Sequence, residues 1–213
     1  MTKNVLVIKA NNRPDGVSTK MYETFVAEAN QIEGVQVTTF DVFEENMPYF
    51  GQTLFNAFGK LQNNEELNEA EAATVAARQK SMDAIKAADV VVWAFPLWNL
   101  TIPAALQTFI DYTYASGFSF KYNEEGQLVS LLTDKKTIIL SARGGYYSTP
   151  ESAPLEMAHT YIKNVACGVY GMELLEEVVI EGHNAEPQRA EQIIAEGLEK
   201  VKQSAQLLKA VTA

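Results

Sequence analysis

Cysteine is nearly missing from this chain: Cys167 stands alone among 213 residues. A single thiol excludes an internal disulfide and any zinc site built from cysteines. Histidine is almost as scarce, and His159 and His183 lack the carboxylate–histidine spacing of a zinc enzyme. Both common nucleotide fingerprints are absent, G-x-G-x-x-G and G-x-x-x-x-G-K-[ST], which argues against dinucleotide-fold and Walker-type sites. No G-x-S-x-G elbow supports a hydrolase. Basic charge is in deficit, with 17 Lys and Arg against 27 Asp and Glu for a formal charge of −10. That balance disfavours nucleic acid as a partner, because phosphate backbones call for a basic surface. No apolar run approaches the roughly 20 residues that cross a bilayer. The opening Val5-Leu6-Val7-Ile8 is too short for a signal-peptide core and leads into polar residues, so a reduced, cytoplasmic protein with no membrane partner is the expectation.

What is present is an ordinary globular composition, 47% hydrophobic and 21% charged, in a chain long enough for a substantial core. Apolar runs at Val5–Ile8, Asp89–Phe95 and Lys136–Ser141 are nearly continuous, as in strands covered on both faces. Val35–Phe40 alternates and reads as a strand nearer an edge, and Leu174–Ile180 as a fifth strand carrying Glu176 and Glu177. Helical patterns fall between them over Thr19–Asn30, Glu65–Ala87, Ala104–Tyr114 behind Pro103, Pro154–Val165 and Pro187–Leu208. Strand–helix alternation over the whole length predicts an α/β doubly wound sandwich around a five-stranded parallel sheet, with residues 1–213 as a single domain.

Two connections exceed what such a fold needs. Asp41–Asn64 carries Met47, Tyr49, Phe50, Leu54, Phe55 and Phe58. Ser116–Lys135 carries Phe118, Phe120 and Tyr122, then Glu124-Glu125-Gly126, a turn signal for a hairpin. Long aromatic loops serve a second subunit, a ligand pocket or packing on their own domain.

In open parallel sheets ligands bind beyond the carboxyl ends of the strands. Three loops lie there. The first, from Ala10 and Asn11 to Lys20, ends at a helix start where Ser18 and Thr19 offer hydroxyls beside free N–H groups. This is a shape for phosphate, and equally a place for Ser18 as a plain N-cap. The second is Phe95-Pro96-Leu97-Trp98-Asn99-Leu100-Thr101-Ile102-Pro103, where two prolines stiffen an extended path around an aromatic and an amide. Such a loop supplies flat apolar contact and backbone polar groups to a planar ring. The third, Ser141-Ala142-Arg143-Gly144-Gly145-Tyr146-Tyr147-Ser148, permits close backbone approach at its glycines. Cys167 lies in an apolar helical stretch and reads as a buried thiol.

These segments, together with Val179-Ile180-Glu181-Gly182-His183-Asn184, resemble the FMN-dependent NADH:quinone oxidoreductases, also called NADH-azoreductases, of the flavodoxin-like fold. The resemblance spans essentially the entire chain, and the middle loop is its most specific part. It implies FMN as cofactor. The first loop with Asn11, Ser18, Thr19 and Lys20 would hold the phosphate, and Pro96, Leu97, Trp98, Asn99, Leu100, Ser141, Arg143, Gly144 and Gly145 the isoalloxazine ring. Some members carry serine where Ala10 stands and a Ser-x-Ser pair at Ser18-Thr19-Lys20, so Ala10 would offer only its backbone. Arg143 is placed to counter negative charge on a reduced flavin, Tyr146 to cover a ring face, and Phe118 and Phe120 to line the acceptor pocket. The implied activity is two-electron transfer from NADH, with NADPH as the alternative donor, to quinones and aromatic azo compounds by a ping-pong mechanism in a homodimer. Because the cofactor carries such chemistry, no protein acid, base or nucleophile is named. A one-electron carrier like flavodoxin and a flavin-free α/β domain are the competing readings.

Overall fold

The computed structural model describes residues 2–212. Along the chain run β1 (Lys3–Lys9), α1 (Val17–Ala29), β2 (Val35–Asp41), α2 (Gln52–Gln62), α3 (Glu69–Ala87), β3 (Val90–Pro96), α4 (Ala104–Thr113), β4 (Phe120–Tyr122), β5 (Leu128–Ser130), β6 (Lys136–Arg143), α5 (His159–Lys163), β7 (Glu173–Glu181), α6 (Ala190–Gln206) and α7 (Leu208–Thr212). Five strands form one parallel sheet in the order β2-β1-β3-β6-β7.

Successive strand residues point to opposite faces, and both faces here are apolar. Val5, Val7, Val90, Val92, Ile138 and Leu140 pack with Met21, Phe25, Val201 and Ala205 of α1 and α6. Leu6, Ile8, Val91, Trp93, Phe95 and Ile139 pack with Ile85, Leu106, Phe109 and Ile162 of α3, α4 and α5. This two-sided burial is why β1, β3 and β6 read as unbroken apolar runs. The large polar side chains in that core are matched: Trp93 Nε1 donates to Thr137 Oγ1 at 3.1 Å, and the Tyr170 hydroxyl lies 2.8 Å from Thr113 Oγ1.

The expected elements are present, with four adjustments. Asp41–Asn64 is not a bare loop, because Gln52–Gln62 forms α2. Leu54 and Ala57 are buried there, Leu54 in a cluster with Ala77 and Tyr112. The helix expected from Glu65 begins at Glu69, where Asn68 and Glu71 form a reciprocal capping box. The helix expected from Pro154 begins at His159, because a 3-10 turn occupies Ala153–Leu155 and the Glu156 carboxylate then accepts from the N–H groups of Ala158, His159 and Thr160. It continues as a π-helical stretch over Asn164–Val169. The last helix is preceded by a 3-10 turn at Pro187–Arg189.

The Ser116–Lys135 segment does form a hairpin, β4 pairing antiparallel with β5 around Asn123–Gln127. Its place matters for function. It lies between α4 and the start of β6, so it sits at the amino end of the sheet.

Gly197 shows how tightly α6 packs. A Cβ at this position would fall 2.5 Å from Ile180 Cδ1. Alanine favours a helix over glycine by about 1 kcal/mol, but overpacking a core costs roughly 1–3 kcal/mol. Gly197→Ala is therefore expected to lose about 1 kcal/mol in urea denaturation, and a gain in stability would contradict this packing.

Candidate functional site

The strand ladder does not stop at the strand ends. Ala10 N donates to Ala94 O at 2.9 Å and Leu97 N to Ala142 O at 2.8 Å, while Arg143 pairs in register with Glu181. The turns after β1, β3 and β6 therefore leave the sheet at one level. α1 packs across β1, β3 and β6 and follows the turn after β1, so its amino end lies at the same end of the sheet.

In the first turn the helix cap is Gly16, not Ser18. A side chain at position 16 would collide with the Asn11 amide, which explains the glycine. Asn11 Nδ2 instead donates to Ser18 Oγ at 2.8 Å, and Asn11 Oδ1 accepts from Arg13 N at 3.0 Å. Thr19 Oγ1 donates to Arg13 O at 2.8 Å, so its hydroxyl shapes the turn. Asn11, Ser18 and Thr19 are buried and Lys20 is exposed. The first helical bond runs from Lys20 N to Gly16 O at 3.1 Å. The N–H groups of Val17, Ser18 and Thr19 thus precede the helical ladder. Because Asn11 approaches Ser18 as a donor, the serine hydroxyl keeps its own proton for another acceptor.

The second turn is strained. Trp98 N donates to Thr101 O at 2.9 Å and Thr101 N to Trp98 O at 3.0 Å. The two residues between them, Asn99 and Leu100, have φ of 51° and 69°. Asparagine tolerates this region, but a left-handed leucine costs about 1 kcal/mol or more. Such strain concentrates at ligand sites. The half-buried Trp98 ring lies 6.0 Å from that of Phe43. Beside them opens a cavity of about 590 Å³ lined by Phe43, Met47, Tyr49, Asn99 and Ile102 among others.

The third turn is bound to the end of β7. Gly144 O accepts from Asn184 N at 3.0 Å and Ala185 N at 3.2 Å, and Gly145 O from Gly182 N at 3.2 Å. A Cβ at position 144 would fall 2.8 Å from Asn184 Cγ, so glycine is needed for this close approach. Arg143 is buried, with Nε 2.8 Å from Glu181 Oε2 and a terminal nitrogen 3.8 Å from Glu156 Oε1. Its charge is already met, whereas the sequence had offered it to a ligand. Tyr146 donates its hydroxyl to Glu186 and is held toward the β7 side.

The fold thus brings Asn11, Ser18, Thr19, Lys20, Pro96–Leu100 and Ser141–Tyr146 to the adjacent carboxyl ends of β1, β3 and β6. It does not bring Phe118 and Phe120 there. Phe120 is buried against Tyr114 at 5.0 Å, and both lie past the far end of α4. Ten helical residues span roughly 15 Å. Cys167 is half-buried, and burial raises its thiol pKa, which opposes nucleophilic use. Glu181 and His183 lie in the Val179–Asn184 segment, whose likeness to the family assigns neither of them a role.

Two buried polar atoms at these strand ends have no hydrogen-bond partner, Ser141 Oγ and His183 Nδ1. Buried polar groups are ordinarily satisfied. Unmet groups here, free N–H groups at a helix start and a glycine-lined turn together suit a ligand with an anionic end and a flat polar ring.

Comparison with known proteins agrees. The model of the flavodoxin-like fold family matches residues 3–205, which places the chain in that class. FMN-dependent NADH:quinone oxidoreductase 3 of Bacillus cereus is 47% identical over 201 residues, 92% of this chain and 95% of that protein. FMN-dependent NADH:quinone oxidoreductase 1 of Bacillus subtilis is 42% identical, covering 93% and 96%. An azoreductase of Bacillus anthracis superposes with a TM-score of 0.86 at 44% identity, covering 96% of this chain and 99% of that one. The chain belongs to this family of FMN-dependent NADH:quinone oxidoreductases.

Burial, reinforced by the positive charge of Lys20, holds the His183 imidazole below its usual pKa of 6.5. The unfolded chain accepts a proton here that the folded one resists, so this group costs stability as pH falls below 6.5. NMR titration is expected to place the His183 midpoint below 6.5, and a midpoint above it would contradict the site electrostatics.

Proposed function

We propose that the chain, as one domain, is an FMN-dependent oxidoreductase that passes two electrons from NADH to quinones and aromatic azo compounds. The observation that carries this reading is the convergence of three turns at one level on the amino end of α1, with unmet polar groups among them. The names of the relatives support the donor and acceptor classes. FMN, when bound, supplies the redox chemistry by taking hydride and passing on two electrons.

The protein's part is to hold and shape. The N–H groups of Val17, Ser18 and Thr19 and the Ser18 hydroxyl receive the phosphate, with Asn11 fixing the serine and Lys20 adding charge at the rim. Pro96, Leu97, Trp98, Asn99 and Leu100, with Ser141, Arg143, Gly144, Gly145 and Tyr146, would hold the ring. Donor and acceptor would share one site in turn, which would give ping-pong kinetics. The acidic surface suits small-molecule partners in the cytoplasm rather than nucleic acid.

The working unit in this reading is a homodimer. Tyr49, Phe55, Tyr114, Leu155 and Met157 are exposed, at 78%, 54%, 41%, 48% and 50%, an unusual amount of bare apolar surface for a monomer. Phe50, Tyr114 and Tyr161 line a further hollow. Phe118 and Phe120, too far from the cleft of their own chain, line an acceptor pocket only across such an interface.

NADH alone is expected to bleach the yellow protein without oxygen, and steady-state plots with a quinone are expected to give parallel lines. A flavin that NADH leaves oxidised would overturn this reading in favour of a one-electron carrier. Gly16→Ala, which drives the Asn11 amide off Ser18, is expected to weaken FMN binding at least tenfold by fluorescence titration. Unchanged affinity would remove this turn from the phosphate site. Sedimentation at micromolar concentration should give the dimer mass.

A further inference from the structure

Glu181 ends β7 at the register position of Arg143. Its carboxylate receives three donors from the turn after β6. Arg143 Nε lies 2.8 Å from Oε2, Tyr147 N lies 2.9 Å from the same oxygen, and Ser148 Oγ donates to Oε1. The side chains of Arg143 and Glu181 are 9% and 17% exposed, and among the described residues Glu156, at 6%, is the other acid within 4 Å of that arginine. Arg143 also stacks its guanidinium 5.8 Å from the Tyr147 ring centre. Every residue from Gly144 to Ser148 is thus fastened to residues 181–186, and Glu181 alone takes hold of the turn at both its ends.

We infer that Glu181 is a positioning residue that shapes the ring-side turn and cancels the charge of Arg143, so that no free cation is presented to the flavin. This rests on the FMN reading above. A free guanidinium beside the ring would stabilise the negative charge that accumulates when hydride delivers two electrons and one proton. A cation already paired with one carboxylate at 2.8 Å, and 3.8 Å from a second, contributes little of that field. Glu181 therefore keeps the ring site at a lower reduction potential than Arg143 alone would set, which favours passing electrons on to the acceptor. The donors from Ser148, Tyr147 and Arg143 outweigh burial and hold the Glu181 carboxyl below its ordinary pKa, so it stays charged at neutral pH.

The test is the two-electron midpoint potential of the FMN-loaded protein in the parent, E181Q, R143Q and the double variant R143Q/E181Q. Glutamine keeps the size and much of the hydrogen bonding while removing charge. E181Q is expected to raise the preference for reduced over oxidised FMN about tenfold, equivalent to roughly 30 mV for a two-electron couple. R143Q is expected to lower it by a similar factor, and the double variant to return near the parent. Should E181Q fail to fold, the difference between R143Q and the double variant measures the same carboxylate. A melting temperature lowered by E181Q with the potential unmoved would reduce Glu181 to a structural brace and overturn the inference while leaving the FMN reading intact. A parent protein that takes up no FMN would overturn both.

Discussion

The structure depends on main-chain pairing that carries past the ends of its parallel strands. Ala10 N to Ala94 O and Leu97 N to Ala142 O extend the ladder into the turns themselves. A loop tied to its neighbour in this way cannot drift along the strand axis. Three polar turns are thereby fixed at one height, and α1, packed across the same strands, is fixed with them. Without that constraint the buried Ser141 hydroxyl and the N–H groups at the start of α1 would be isolated features rather than parts of one cleft.

The same constraint explains where strain is tolerated. Leu100 adopts a left-handed backbone in a two-residue turn, yet that turn is closed by two bonds between Trp98 and Thr101, and Leu100 O accepts a third from Met157 N. The third turn is stabilised differently, by the end of β7. Gly144 and Gly145 give up their carbonyls to residues 182–185, and Glu181 gathers the side chains of Arg143 and Ser148. The strand-end turns are thus tied down on both flanks, as a preorganised binding site requires.

Much of this was legible in the residues. Continuous apolar runs marked β1, β3 and β6 because both their faces are covered, and Pro96 and Pro103 marked the stiff turn between them. Other features depended on contacts that no local pattern encodes. α2 was obscured by Met47-Pro48 before it and Gly59 within it, although Leu54, Phe58 and Leu61 have helical spacing. Ser18 looked like a cap, but the clash that bars a side chain at position 16 arises from Asn11, which reaches back across the turn. Arg143 looked like a counter-charge because its partners, Glu156 and Glu181, are distant in sequence. Phe118 and Phe120 were read as pocket residues from resemblance, and only the course of α4 reveals that they stand at the other end of the sheet.

Amide hydrogen exchange with and without FMN tests the central claim most directly, because it reports on each turn separately. Convergence of the three turns on one ligand predicts slowed exchange together over residues 10–20, 96–101 and 143–148 on saturation. Slowed exchange confined to one turn, or none in any of them at saturating FMN, would contradict it.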